Sequence, residues 1–213
     1  MNERIPAALL PLDQFLTTLF HEGRLIVGQI VVRDDWSLRH LDDQGTPEEA
    51  LQRYQQPAAA REIARYDAAG NFRPLKTAPN LRSGWLLQLA DATSVRLALD
   101  FFYPAAVGLY RSALEGRLRV TSLRETLGRQ TGMYRVTQKI TDEAAREVIL
   151  QTCASESGCL RRVLWPIENE GAHVFSGSKA SLDCRPGELP LICRELCNLA
   201  VAACRQKVKQ ASG

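Results

Sequence analysis

Residues 141–165 read TDEAAREVILQTCASESGCLRRVLW, and residues 191–209 read LICRELCNLAVAACRQKVK. Together they carry Cys153, Cys159, Cys193, Cys197 and Cys204; Cys184 lies between them, and the first 152 residues contain no cysteine. Thiols gathered in this way argue for one local site rather than a disulfide framework spread through the fold. In the first stretch, Thr141 is an N-cap, Asp142 and Glu143 supply acids to the first turn, and Val148, Ile149 and Thr152 fall towards one side. The helix is therefore expected to end near Cys153. Ala154 to Gly158 is a small, polar turn, and Cys159 opens CLRRVLW, which alternates like a half-buried strand. Cys153 and Cys159 can then curl around one object.

The second stretch predicts a continuous helix from Leu191, with basic residues in its last turns. On that helix Cys193 and Cys197 are four apart and share a face. Cys204 would lie about 10 Å further along the axis, too far for a compact site, and is assigned to the core. Cys184 sits in a loop before a proline and is the alternative to Cys153 for the fourth position. Four thiolates suit either a closed zinc site or a 4Fe-4S cluster. A zinc pair usually has roughly two to four intervening residues, whereas Cys153 and Cys159 have five. The run of closely spaced cysteines found in ferredoxins is also missing. Spacing leaves iron-sulfur and zinc open.

The rest of the chain sets the frame. Its 213 residues, 45% hydrophobic and 24% charged, allow one large or two small globular domains. The start, MNERIPAALLPLDQFL, is interrupted by Pro6 and Pro11 and has no apolar run of signal-peptide length. No later run approaches transmembrane length. The expectation is a cytoplasmic protein with no membrane partner, in a compartment where clustered cysteines bind metal or do redox work. A net charge of +3 is too small to point to nucleic acid, which is not expected as a partner. The charge is uneven, however. From Arg117 to Lys139 six basic residues face the single acid Glu125, a surface that suits an anion.

Leu12 to Phe20 reads as a short helix, Arg24 to Arg33 as a β-branched strand interrupted by Gly28, and Trp36 to Leu41 as its hairpin partner. Thr46, Pro47 and Glu49 look like a helix start with a capping box, and a further helix is expected over Pro57 to Tyr66. The segment from Asp67 to Ser83 is broken by glycine and prolines and serves as the candidate boundary. Beyond it, Trp85 to Leu89 reads as a strand, Ala92 to Phe102 as a helix with Val95, Leu99 and Phe102 on one face, and Pro104 to Leu114 as another helix. Ser122 and Glu125 form a capping box, and Gly171 to Pro190 reads as a hairpin and loop. No Gly-rich phosphate loop, Ser/His/Asp set or two-histidine metalloprotease motif is present, which argues against an autonomous kinase or hydrolase.

Read as a block, FRPLKTAPNLRSGW (72–85), LALDFFYPAAVGLYR (97–111), LRVTSLRETLGRQTGMYRVTQKITDE (118–143), GCLRRVLWPI (158–167) and CRELCNL (193–199) carry a family resemblance. The chain resembles the 4Fe-4S-binding module that accompanies sirohydrochlorin cobaltochelatase-like domains in bacterial multidomain proteins. Its first third is similar, more loosely, to the small stabilising domain of the same proteins. The resemblance implies an α+β chain: a small N-terminal α+β domain over 1–73, then a helix-rich iron-sulfur domain over 74–213 with a short β-hairpin or sheet. It also implies Cys153, Cys159, Cys193 and Cys197 as cluster ligands, which favours iron-sulfur over zinc. An electron-transfer or redox role follows, with a chelatase-like or redox protein as partner and an anionic tetrapyrrole as a further one. The alternative is a scaffold in which the metal centre is a structural clip. His21, His40 and His173 are scattered rather than paired for metal insertion.

Overall fold

The computed structural model of the chain describes residues 10–154, 158–166, 182 and 184–211. It is mixed α+β, as the sequence implies, and divides into two compact units: Met1–Arg117 with Asp183–Leu191, and Leu118–Leu182 with Ile192–Gly213. The break falls after Arg117 rather than after residue 73. The reason is the strand Trp85–Gln88 (β5), which lies beyond the expected boundary yet forms the interior of the first unit's sheet.

The first unit opens with helix α1 (Leu12–Leu19), which buries Phe15 and Leu16. Strands β1 (Arg24–Val27) and β2 (Ile30–Arg33) follow as an antiparallel hairpin, with Val27 opposite Ile30. The expected single strand is thus folded in two at Gly28. That residue has φ +58°, and an added Cβ there would lie 2.8 Å from Cζ of the Tyr103 ring. Only glycine satisfies both the left-handed backbone and the close approach. Tyr103 secures the turn by accepting a 2.9 Å hydrogen bond from the Gln29 N–H at its Oη.

Strand β3 (Ser37–His40) pairs with β2 and with β5, both antiparallel. Short parallel strands flank this meander: β4 (Gln52–Tyr54) beside β5, and β7 (Glu188–Leu189) beside β1. The order is β4-β5-β3-β2-β1-β7. Thr46 and Glu49 do not start an α-helix; Glu48–Ala50 makes a single 3-10 turn with no side-chain cap. Two other demands prevail over the local capping signal. Glu48 bridges Arg39 and Arg53, each at 3.0 Å, and the chain must extend at once into β4.

Helices α2 (Ala59–Ile63), α3 (Ala92–Phe102) and α4 (Ala106–Leu114) complete the unit. Asp91 caps α3 by accepting from the Ser94 N–H at 2.7 Å, a bond worth about 1 kcal/mol. Val95, Leu99 and Phe102 are fully buried on one face of α3, as their spacing predicts. Phe102 stacks on Trp85 at 5.2 Å between centroids. Each aromatic contributes roughly 1.5–3 kcal/mol through burial, and the stack about 1 kcal/mol more.

The second unit holds α5 (Leu123–Gly128), a 3-10 segment Gly132–Lys139, α6 (Asp142–Ile149), a π-helical turn Leu150–Ala154 and α7 (Asn198–Ala211). A two-stranded parallel sheet pairs β6 (Arg162–Val163) with β8 (Ile192–Cys193). Ser122 and Thr141 cap α5 and α6 by accepting from the N–H groups of Glu125 and Ala144. Both caps agree with the sequence reading. The core joins Leu123, Leu127, Ile140, Val148, Ile149, Val163, Trp165, Val201 and Val208. Arg124 ties α5 to the start of α6, donating to the Ile140 carbonyl at 2.8 Å and pairing with Asp142. The expected hairpin over Gly171 to Pro190 and His173 lie largely outside the described residues.

Candidate metal centre

The four cysteines expected as ligands stand in different local structures. Cys153 stands in the π-helical turn that ends α6 and is 8% exposed. An inserted residue in a helix re-aims the side chains after it, and such turns recur at functional sites. Cys159 is half-buried, and its sulfur accepts from the Arg161 backbone N–H at 3.5 Å. Cys193 lies on β8, where its carbonyl accepts from Leu164 N–H at 3.0 Å and so extends the pairing with β6.

Cys197 immediately precedes α7. Its carbonyl accepts the first helical hydrogen bond, from Val201 N–H at 3.0 Å, so it holds the N-cap position. Its side chain thus stands at the positive end of the helix dipole. Cys193 and Cys197 therefore do not share a helix, contrary to the sequence expectation. The apolar and thiol periodicity of α7 (Ala200, Val201, Cys204, Val208) runs back without a break through Cys197, Leu196 and Cys193, so the pattern gives no sign of the boundary. Strand pairing of Ile192 and Cys193 with Arg162 and Val163 decides the conformation instead. The β-branched Ile192 after Pro190 is the one signal in favour of that pairing.

Burial pushes the Cys153 thiol up to about 12, and the charges of Cys197, Cys193 and Cys159, then Cys204, push it the same way. The cysteines thus lie close enough to repel one another once ionised. Burial also raises Cys193, opposed by the hydrogen bond from Trp165 and by the nearby charge of Arg161, and the thiol donates to the Glu195 carbonyl at 3.1 Å. Trp165, 1% exposed, donates its indole N–H to the Cys193 sulfur at 3.5 Å. Arg161 also donates to the Ile192 carbonyl at 2.6 Å, holding its guanidinium against β8. Sequence spacing gives no sign of Trp165, whose partner lies 28 residues away.

Cys204 is fully buried in the core, as expected, with its thiol pushed up to about 11 by burial. Cys184 belongs to the first unit, where its sulfur lies 3.6 Å from the Tyr110 hydroxyl. Among the described residues no three His, Cys, Asp or Glu side chains converge on a point that could hold a single ion. A 4Fe-4S cluster takes one thiolate at each of its irons, and an all-sulfur donor set with N–H groups aimed at the sulfurs suits it. The residues present fit that group.

The chain is thus an α+β unit and a helical unit whose clustered thiols suit an iron-sulfur cluster. Residues 13–112 match the family model of the DR2241 stabilising domain, and residues 115–206 match that of the 4Fe-4S iron-sulfur cluster binding domain. The chain carries these two domains in that order, and its cofactor is a 4Fe-4S cluster. Its structure is similar to that of DR2241 from Deinococcus radiodurans, with 32% identity over 89% of this chain and a TM-score of 0.71. DR2241 is described as a multi-domain protein with structural similarity to chelatases and two additional novel domains. The present chain spans 39% of its length. No curated protein matches the chain. Among the described residues, no helix is long and apolar enough to cross a membrane.

Proposed function

We propose that Cys153, Cys159, Cys193 and Cys197 ligate the cluster and that the protein passes single electrons as a redox accessory to a chelatase-like partner. The observation that carries the redox reading is the pair of N–H donors aimed at sulfur, from Trp165 to Cys193 and from the Arg161 backbone to Cys159. Such donors stabilise negative charge on the sulfurs and so favour the reduced state. When bound, the cluster supplies a one-electron site. The chain's own part is to hold four thiolates, exclude water from the buried Cys153 side, and set the field around them.

The link to tetrapyrrole metabolism rests on the likeness to DR2241, whose own similarity is to chelatases. Exposed Arg119, Arg135 and Lys139 supply a basic surface for an acidic partner or a carboxylate-bearing tetrapyrrole. A cytoplasmic setting suits six cysteines that are all thiols rather than disulfides. A redox titration of anaerobically purified protein, followed by visible and paramagnetic resonance spectra, tests the reading. A reversible one-electron change supports it; a cluster that stays silent across the accessible range overturns it.

A second reading has its own support. The four cysteines come from the end of α6, the approach to β6, strand β8 and the start of α7, so a cluster would clip separate elements together. A redox-silent cluster whose removal lowers the melting temperature sharply is the signature of that role.

A further inference from the structure

In the first unit, the loop that follows α2 folds back beside that helix and borders a half-open cavity of about 370 Å³ lined by Arg61, Glu62, Arg65, Phe72, Arg73 and Lys76. Four cationic side chains thus face one carboxylate, and Glu62 already lies 3.5 Å from Arg65. Arg61 and Arg65 are exposed and rest on aromatic rings, 5.6 Å from the Phe101 centroid and 5.5 Å from that of Tyr66. Stacking of this kind fixes the plane of a guanidinium and leaves its edge to donate.

Arg73 is the unusual member, being 2% exposed. It donates to Asn80 Oδ1 at 2.9 Å and to the carbonyls of Ala64, Lys76 and Ala78 at 3.3, 2.7 and 2.9 Å. Every one of these acceptors is neutral. Among the described residues no carboxylate forms an ion pair with Arg73. Its bonds fix the loop that presents Lys76, and its charge is met by these dipoles and, at longer range, by the Asp67 carboxylate, with no counterion in direct contact, a costly state for a buried cation. An anion in the cavity would supply a countercharge close at hand. Phe72, meanwhile, is 65% exposed at the same cavity, offering apolar surface that a bare inorganic ion would not use.

We propose that this cavity binds a small molecule that carries a carboxylate or phosphate on a flat aromatic body. The anionic group is held by Lys76, Arg61 and Arg65 above the buried charge of Arg73, and the ring packs against Phe72. The site does not depend on the iron-sulfur cluster.

Calorimetric titration of the full chain with adenosine 5′-monophosphate, benzene-1,3,5-tricarboxylate, adenosine and inorganic phosphate tests this. At least one aromatic anion is expected to bind roughly tenfold or more tightly than adenosine or inorganic phosphate. A preference for the monophosphate identifies a phosphate ligand, and a preference for the tricarboxylate a carboxylate one. Phe72→Ala and Lys76→Ala should each weaken that binding at least about tenfold, while Lys76→Arg, which keeps the charge, retains it. The proposal is overturned if neither aromatic anion binds, if inorganic phosphate matches them, or if affinity is unchanged in both alanine variants with their circular dichroism intact.

Discussion

The indole N–H of Trp165 points at the sulfur of Cys193 from 3.5 Å, inside a core that leaves the tryptophan 1% exposed. A donor there favours extra electron density on the sulfur, so Trp165→Phe should make the cluster potential more negative. A differential hydrogen-bond contribution of about 1 kcal/mol corresponds to about 40 mV for one electron. Potentiometry of the two proteins measures the shift. A potential unchanged or raised in the phenylalanine variant contradicts the assignment of Trp165 as a tuning donor.

Serine replacements should sort the cysteines. Cys153→Ser, Cys159→Ser, Cys193→Ser and Cys197→Ser should each lose most of the iron and sulfide, whereas Cys184→Ser, in the first unit beside Tyr110, should keep both. Cys204→Ser should also retain the cluster, though a hydroxyl in that fully buried position costs about 1–3 kcal/mol of stability. Iron and sulfide assays on the purified variants decide. Full retention in any of the first four would remove that residue from the ligand set.

How much of this centre the sequence reveals differs from residue to residue. Thr141, Asp142 and the apolar face of α6 correctly place the end of that helix just before Cys153, because a capped amphipathic helix is specified locally. Cys193 and Cys197 are misread because α7's periodicity continues into a segment whose conformation is set by pairing with Arg162 and Val163, about thirty residues earlier in the chain. Gly28 shows the same limit in the first unit. Its interruption of RLIVGQIVVR is legible, but the turn it makes depends on Tyr103, which sequence spacing does not bring near. The boundary after residue 73 fails for a related reason. A proline-rich break looks like a linker, yet Arg73 buries its guanidinium there and locks the segment into the first unit.

Gly28→Val puts a side chain where a Cβ would already lie 2.8 Å from the Tyr103 ring, at φ +58°. Overpacking and backbone strain together should cost about 2–4 kcal/mol. Denaturant unfolding of the first unit measures it, with the iron content of the protein expected to stay constant. A variant as stable as the parent would show that the hairpin does not depend on this contact.

His40 introduces acid sensitivity into the same sheet. Burial holds its pKa below the ordinary value of 6.5, partly offset by Asp42 and Asp43, with Arg73 adding to the depression. Its Nδ1 accepts from the Asp42 N–H at 3.1 Å, as the neutral ring requires. In the unfolded chain the ring takes up a proton near 6.5, so below that pH the unfolded state binds more protons and stability falls. The stabilising contribution is therefore complete above about pH 6.5 and is lost as pH falls towards the depressed folded value. Melting curves between about pH 5 and 7.5 should show a steeper acid loss in the parent than in His40→Gln. Parallel curves would exclude His40 as the cause.

The central claim is that the second unit holds a 4Fe-4S cluster on Cys153, Cys159, Cys193 and Cys197. Iron, acid-labile sulfide and zinc analysis of anaerobically purified protein tests it most directly. The account predicts a brown protein with four irons and four sulfides per chain, as a 4Fe-4S domain requires, and both lost in Cys193→Ser. A colourless protein carrying one equivalent of zinc and no sulfide would contradict it.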